Sequence, residues 1–165
     1  MLDGVWAEAG NAAQTFGRLG AALVGGAVLG FDREVGGHAA GLRTHMLVSL
    51  AAAASAILAL DLFEAILKAH PESNADPLRI IEGLVAAVGF LGGGVILRSG
   101  AHVRGLTTAA NLWVCGMTGL AFGAGLWTLA LATLGLAFVV LVVLRVVEKP
   151  LAGATRPDDP ADPKG

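Results

Sequence analysis

The sequence predicts an all-α integral membrane protein, a compact bundle of five transmembrane helices with the N-terminus outside and the C-terminus cytoplasmic. Three observations carry this. Of the 165 residues, 55% are hydrophobic and only 15% charged, whereas an ordinary soluble domain carries roughly 25% charged residues. Five apolar runs come near the roughly 20 residues that cross a hydrocarbon core as a helix. Lys and Arg are shared unevenly between the two ends of those runs, and that asymmetry sets orientation.

The first span is expected from about Ala12 to Phe31, with Arg18 in its opening turns reaching toward headgroups. It ends at Asp32-Arg33-Glu34. The second runs from about His45 to Leu62 and continues as a polar-edged end through Asp61, Glu64 and Lys68. Glu64 and Lys68 stand four apart, a spacing that supports an exposed helical end. The third opens on Asp76-Pro77, an N-cap followed by the proline favoured at the first helical position. It ends near Leu97.

The fourth opens at Gly105-Leu106-Thr107-Thr108 and reaches about Phe122, after which Gly123-Ala124-Gly125 permits a tight reversal. The fifth, Leu126 to Val147, is the longest clean apolar run, and Trp127 sits where an interfacial anchor is expected. Residues 1–149 thus form a single transmembrane domain. The stretch 150–165, rich in Pro, Asp and Gly, reads as a disordered cytoplasmic tail. The first seventeen residues carry no Lys or Arg, unlike the basic start of a secretory signal, so the N-terminus is expected to be retained.

Orientation follows from the basic residues. Arg33, Arg43, Arg98, Arg104, Arg145, Lys149, Arg156 and Lys164 fall on one side, and Arg18, Lys68 and Arg79 on the other. The first side is therefore cytoplasmic. A weak internal repeat accompanies this: Gly25-Gly26 then Gly41-Leu42-Arg43-Thr44 in the first hairpin, Gly92-Gly93-Gly94 then Gly105-Leu106-Thr107-Thr108 in the second. A parallel repeat of helices 1-2 and 3-4 would have its axis along the membrane normal. Chance in a Gly-rich chain explains the same letters equally well.

Charge and composition exclude some functions. Basic residues come in ones and twos between apolar runs, without the stripe of a nucleic-acid binder. Cys115 is the single cysteine and lies in an apolar stretch, so no intrachain disulfide forms. His38, His45 and His102 lack metal-ligand spacing. Ser99 with His102 lacks a third member for hydrolysis. No phosphate-binding or dinucleotide fingerprint occurs. No catalytic residue, metal or cofactor is expected.

Two sets of residues remain. Ala22, Gly26 and Gly30 recur every four positions on span one, and Gly119 and Gly123 on span four, giving flat stripes for helix packing. Gly89, Gly92, Gly93 and Gly105 are further packing candidates. The cytoplasmic loops, Asp32 to Thr44 and Arg98 to Thr108, each bring an Arg to the start of an outgoing helix. Such an end carries unpaired N–H groups and favours an anion, a lipid phosphate or a carboxylate. Asp32 or Glu34 could be that carboxylate, locking the loops together; the alternative is that the arginines only enforce topology. Asp32, Arg33, Glu34, Arg43, Thr44, Arg98, Arg104, Thr107 and Thr108 are the candidates here. Within the spans, Glu82 reads as a local ion pair with Arg79 or as an ion-path carboxylate, and Asn111 as helix-packing glue.

Four stretches resemble the MgtC/SapB family of bacterial membrane proteins: Gly30 to Glu34, Gly41 to Val48, Val88 to Ile96, and Val103 to Ala110 followed by Leu112-Trp113. Together the matching part runs from about Arg18 to Val147. The resemblance implies five helices in a bacterial inner membrane and a connection with adaptation to low magnesium or related stress, in some pathogens with virulence. It implies a modulator of other membrane proteins, partnered by one of them or by further copies of itself, rather than an enzyme or a proven pump. Its motif positions here are Asp32, Arg33, Gly41, Arg43, Thr44, Gly89, Gly92, Arg104, Gly105, Thr107 and Thr108. Gly92-Gly93-Gly94 stands where the family usually has Gly-Ala-Gly, and the resemblance does not extend to the cytoplasmic C-terminal domain that many longer relatives add. A transporter or channel for magnesium, protons or phosphate is the competing expectation.

Overall fold

The computed structural model describes the backbone of residues 2–99 and 102–152, and side chains over residues 11–96 and 103–143. Its elements are α1 Leu2–Val35, α2 Leu42–Ala69, α3 Leu78–Gly94, β1 Leu97–Ser99, β2 His102–Arg104, α4 Leu106–Gly123 and α5 Trp127–Ala152. Five helices therefore occupy the described residues, where five apolar runs predict them.

Several boundaries differ from the expectation: α1 begins at Leu2 and not near Ala12, α2 begins at Leu42 and not at His45, and α3 ends at Gly94 and not near Leu97. α1 continues through Asp32-Arg33-Glu34 to Val35, so these residues belong to its last turn and not to a loop. The helix stops by glycine chemistry: Gly37 adopts φ +65, His38 N–H donates to the Arg33 carbonyl (3.0 Å) and Gly37 N–H to that of Glu34 (3.1 Å), which is the Schellman arrangement. The second connection is not an irregular loop. It contains an antiparallel hairpin pairing Leu97 with Arg104 and Ser99 with His102, so the fold is not purely α. α5 extends through Pro150 to Ala152, past the expected start of the tail; residues 153–165 lie outside the described ones.

The start of α3 and the turn into α5 agree with the sequence. The Asp76 carboxylate accepts from Leu78 N–H at 2.9 Å with Pro77 between them, the N-cap and first-position proline in their expected places. At Gly125 (φ +76) the chain reverses into α5, with Leu126 N–H on the Ala121 carbonyl and Gly125 N–H on that of Phe122.

α4 is the hub. It touches each of the other four helices, and ten of its eighteen residues are buried. Small residues make this close approach feasible. A Cβ on Gly119 would overlap the Ser49 carbonyl oxygen of α2, and one on Gly123 that of Ala53. On the other flank of α2, a Cβ on Gly26 would lie 2.7 Å from the His45 carbonyl oxygen, and one on Gly30 2.9 Å from Leu42 Cα. α2 is thus seated between two glycine-lined helices, and dispersion between close backbones holds it there.

α3 and α5 lie outside this trio. α5 packs on α4 and α1, with Ala130 fully buried and the Phe122 and Trp127 rings edge to face at 5.6 Å. α3 packs on α4 and α2 but buries only Val88 and Gly92. Gly89 and Gly93, expected to serve packing, face open space, since nothing lies within 4 Å of a Cβ built on either. Gly92 alone of the three meets α4, with its Cβ position 3.6 Å from Ala109.

The buried core is mainly apolar but holds several polar residues, and many large apolar side chains lie outside it. Arg33, His45, Ser49, Thr108, Asn111 and Thr118 are buried, while Phe16, Leu47, Leu58, Phe90, Leu131, Leu136 and Val140 are exposed. Soluble monomers rarely expose contiguous apolar patches beyond a few hundred Å². Judged by length and hydropathy alone, α2 is the one described helix that satisfies a membrane-crossing criterion, and the stretch Trp127–Val143 of α5 is a shorter apolar helix.

The glycine contacts differ enough to test. Gly119→Ala is expected to lower the stability of the purified protein by about 1–3 kcal/mol, the usual range for overpacking. Gly135→Ala, where nothing lies within 4 Å, should leave the thermal denaturation midpoint unchanged or slightly raised. Equal midpoints for the two variants would refute the close α2–α4 contact.

Candidate functional site

The site lies where α1 ends, α2 begins and the hairpin hands over to α4. Arg33 ends α1 as a cation beside the helix's partial negative charge, and its side chain turns inward to 6% exposure. Its Nη2 donates to Thr108 Oγ1 at 3.0 Å. Hydrogen bonds to a charged group contribute about 1.5–3 kcal/mol, so this one fixes α1 to the first turn of α4.

Glu34 does not meet an arginine. Its Oε2 accepts from Leu42 N–H at 2.8 Å, capping the α2 start, where Gly41 supplies no side chain of its own. The expected carboxylate lock between loops is, for Glu34, a helix cap instead. The reason is proximity: a Cβ on Gly41 would collide with the Glu34 carboxylate, so the acidic head already occupies that corner. Asp32 is half-buried beside it, and Arg43 and Thr44 are exposed on the first turn of α2.

Deeper in, Asn111 of α4 joins three helices. Its Nδ2 donates to the Leu29 carbonyl of α1 at 3.1 Å and lies 2.9 Å from His45 Nε2 of α2. His45 Nδ1 is 2.8 Å from the Gly41 carbonyl oxygen. A carbonyl only accepts, so Nδ1 carries the proton and Nε2 accepts from Asn111. Both amide hydrogens and both ring nitrogens are then used, and the imidazole is neutral. Below it, Cys115 Sγ donates to the His45 carbonyl at 3.2 Å, and Thr118 Oγ1 to Val114 at 2.8 Å.

Above this network a cavity of about 370 Å³ opens between Arg33, His38, Val103, Arg104, Gly105, Leu106, Thr107 and Thr108. Gly105, expected on a packing face, shapes its rim instead. It holds φ +90, and a Cβ there would overlap the Val95 carbonyl oxygen, so only glycine fits this turn. The α4 start has no side-chain cap. Arg104 and Thr107 are exposed at the cavity, and Thr108 is buried beneath it. The Arg98 side chain lies outside the described residues, as do those of Ser99 and His102.

At the opposite end of the bundle, Arg18 is half-buried, and its Nη1 donates to the Gly123 carbonyl at 3.1 Å. It closes the C-terminal end of α4 and does not extend outward as expected. The Lys68–Glu64 pair forms as its spacing predicts, and the Lys68 ammonium, hydrogen-bonded to it, holds the Glu64 carboxyl below the usual carboxylate range. Arg79 and Glu82, both exposed on α3, make no ion pair with each other. Among the described residues, no group of three or more His, Cys, Asp or Glu converges as a metal cage would require.

The structure therefore gathers Arg33, Arg104, Thr107 and Thr108 at one cavity, places Asn111 beneath it, and leaves Arg43, Thr44 and Glu82 on the surface. His45 and His38 were not among the candidates. For His45 a signal existed, since an ionisable residue at the mouth of an apolar span is costly without a partner. For His38, a loop residue whose Nδ1 donates to the Arg33 carbonyl at 3.2 Å, no sequence signal existed.

Residues 19–150 match the MgtC family. The protein named MgtC from Brucella abortus (strain 2308) is 36% identical over 132 residues, 80% of this chain and 50% of the relative. The protein named SrpB from Synechococcus elongatus is 38% identical over 126 residues, 69% of this chain and 65% of the relative. The protein named putative magnesium transporter YhiD from Escherichia coli (strain K12) is 38% identical over 111 residues, 67% of this chain and 51% of the relative. The chain spans about half the length of most of these relatives. No solved structure matches it.

Asn111→Leu strips His45 Nε2 and the Leu29 carbonyl of a shared donor. A loss of about 1–3 kcal/mol is expected, the cost of buried groups left unsatisfied. Nitrogen-15 spectra of labelled histidine should show an unprotonated Nε2 on His45 whose shift moves in the variant. A protonated Nε2 in the native protein would refute the network.

Proposed function

The chain belongs to the MgtC family, and from that premise we propose a multi-pass protein of the bacterial inner membrane that modulates other membrane proteins, without catalysis, in adaptation to low magnesium or related stress. In this reading the hairpin end faces the cytoplasm. The excess of Lys and Arg on that side supports the orientation, and the many exposed large apolar side chains support the bilayer setting.

One observation favours modulation over transport. Among the described residues no Asp or Glu is buried, and His45, Thr108, Asn111, Cys115 and Thr118 inside the bundle are engaged with other side chains or with backbone carbonyls, while the buried Ser49 Oγ has no hydrogen-bond partner. A path for cations needs carboxylates or free carbonyls along its length. A surface that recognises another protein needs neither, and Arg43, exposed on the first turn of α2, is placed to meet a partner.

Transport of magnesium is the second reading. The name of the Escherichia coli relative favours it, as does a polar cavity of about 530 Å³ between α1 and α2 at the end opposite the hairpin, lined by Gln14, Arg18, Asp61, Glu64 and Lys68 among others.

Two measurements on one preparation separate the readings. Liposomes carrying the purified chain and a magnesium-sensitive dye should show no uptake above empty liposomes. Cross-linking in native membranes should capture a specific membrane-protein partner or a second copy, and Arg43→Ala should lose it while folding normally. Gradient-driven uptake that depends on the chain, with no partner captured, would replace modulation by transport.

A further inference from the structure

At the end opposite the hairpin two cavities adjoin, and they differ in kind. One, of about 530 Å³, lies between α1 and α2 and is lined by Gln14, Arg18, Asp61, Glu64 and Lys68 among others. The other, of about 310 Å³, is bounded by α2, α3, α4 and α5, and Thr133 supplies the one polar side chain of its lining. Leu60 borders both. Arg18 stands at the same junction. Its Nη1 donates to the Gly123 carbonyl at 3.1 Å, and a Cβ on Gly125 would lie 3.1 Å from its Nη2. Ala124 and Leu126 of that turn line the apolar cavity. Trp127, just past the turn, is exposed where an interfacial anchor belongs, which sets the polar cavity at headgroup height.

The polar cavity holds charges of both signs. Glu64 and Lys68 satisfy each other. Arg18 and Asp61 border the same space but form no ion pair, and the Asp61 carboxylate has no hydrogen-bond or ion-pair partner among the described residues. A guanidinium and a carboxylate are thus held apart across one opening. A simple anion or cation placed there would be attracted by one of them and repelled by the other. A ligand that carries both signs side by side meets both.

We propose that the two cavities together bind one phospholipid with a zwitterionic, amine-bearing headgroup, of the phosphatidylethanolamine type. Its phosphodiester sits on the Arg18 guanidinium, whose planar fork matches two phosphate oxygens, and its ammonium donates to the Asp61 carboxylate. One acyl chain passes Leu60 into the apolar cavity, among Leu78, Ile81, Met117, Leu120 and Leu129. A choline head has no N–H to give Asp61, and a glycerol head has no cation. The site therefore selects the amine. It needs the bilayer setting proposed above, and neither modulation nor transport.

The test places the full chain in nanodiscs of equal parts phosphatidylethanolamine, phosphatidylcholine and phosphatidylglycerol, and identifies the retained lipid by native mass spectrometry. Phosphatidylethanolamine is expected to stay in preference to both others. Asp61→Asn, at an exposed position where the melting midpoint should stay unchanged, is expected to lower that preference about fivefold or more, through loss of one charge-assisted hydrogen bond. Thr133→Phe, which puts a ring in the apolar cavity, should reduce the amount of phosphatidylethanolamine retained. Equal retention of the three lipids, a preference for phosphatidylglycerol, an unaltered preference in Asp61→Asn or unaltered retention in Thr133→Phe would overturn the site and leave the bilayer setting standing. A chain that stays soluble without detergent and enters no nanodisc would overturn both.

Discussion

One amide group holds the centre of this protein together. Asn111 gives one hydrogen to the backbone of α1 and the other to an imidazole of α2, from its own place on α4. The three helices that pack most closely therefore share a polar knot. Geometry is demanding here, because each donor has a single acceptor within reach and the imidazole's tautomer is set by the Gly41 carbonyl on its far side. Small residues make the knot reachable: only with Gly26 and Gly30 on one flank and Gly119 and Gly123 on the other do the backbones come near enough. Close packing and polar pairing are in this sense one constraint seen from two sides.

The constraint propagates toward the hairpin. With α1 and α4 tied at Leu29 and Asn111, the last turn of α1 arrives beside the first turn of α4, and Arg33 meets Thr108 without further adjustment. Glu34, one residue on, is carried round to the start of α2. The charged corner is thus assembled by helix ends whose positions are decided deeper in the bundle. This is how a chain with few polar residues in its apolar runs places several of them at one cavity.

Much of this was legible beforehand, and the exceptions have physical reasons. Five helices followed from run length, and the start of α3 from Asp76-Pro77, because a cap is a local event written in adjacent letters. The glycine stripes of α1 and α4 were legible for the same reason: spacing of four puts residues on one face. Gly89 and Gly93 carry the same letters yet face open space, since spacing reveals a face but not what covers it. The hairpin at Leu97–Arg104 was hidden because three-residue strands leave no period to detect. The Glu34 cap and the Arg18 contact with Gly123 were hidden because each depends on how distant ends of helices meet. His45 was set aside as a poor metal ligand, when its value lay in a hydrogen bond to a residue 66 positions away.

That separation has a consequence for biogenesis. A ribosome adding roughly 5–20 residues per second releases His45 several seconds before Asn111 exists. During that interval α2 offers an imidazole acceptor with no partner from its own chain, while Gly41 already engages the opposite nitrogen. The nascent α2 must keep that edge of its ring wet, or in the care of an insertion machine, until α4 emerges. The order of synthesis, and not only the final packing, thus places a limit on how apolar the surroundings of this helix can be at birth.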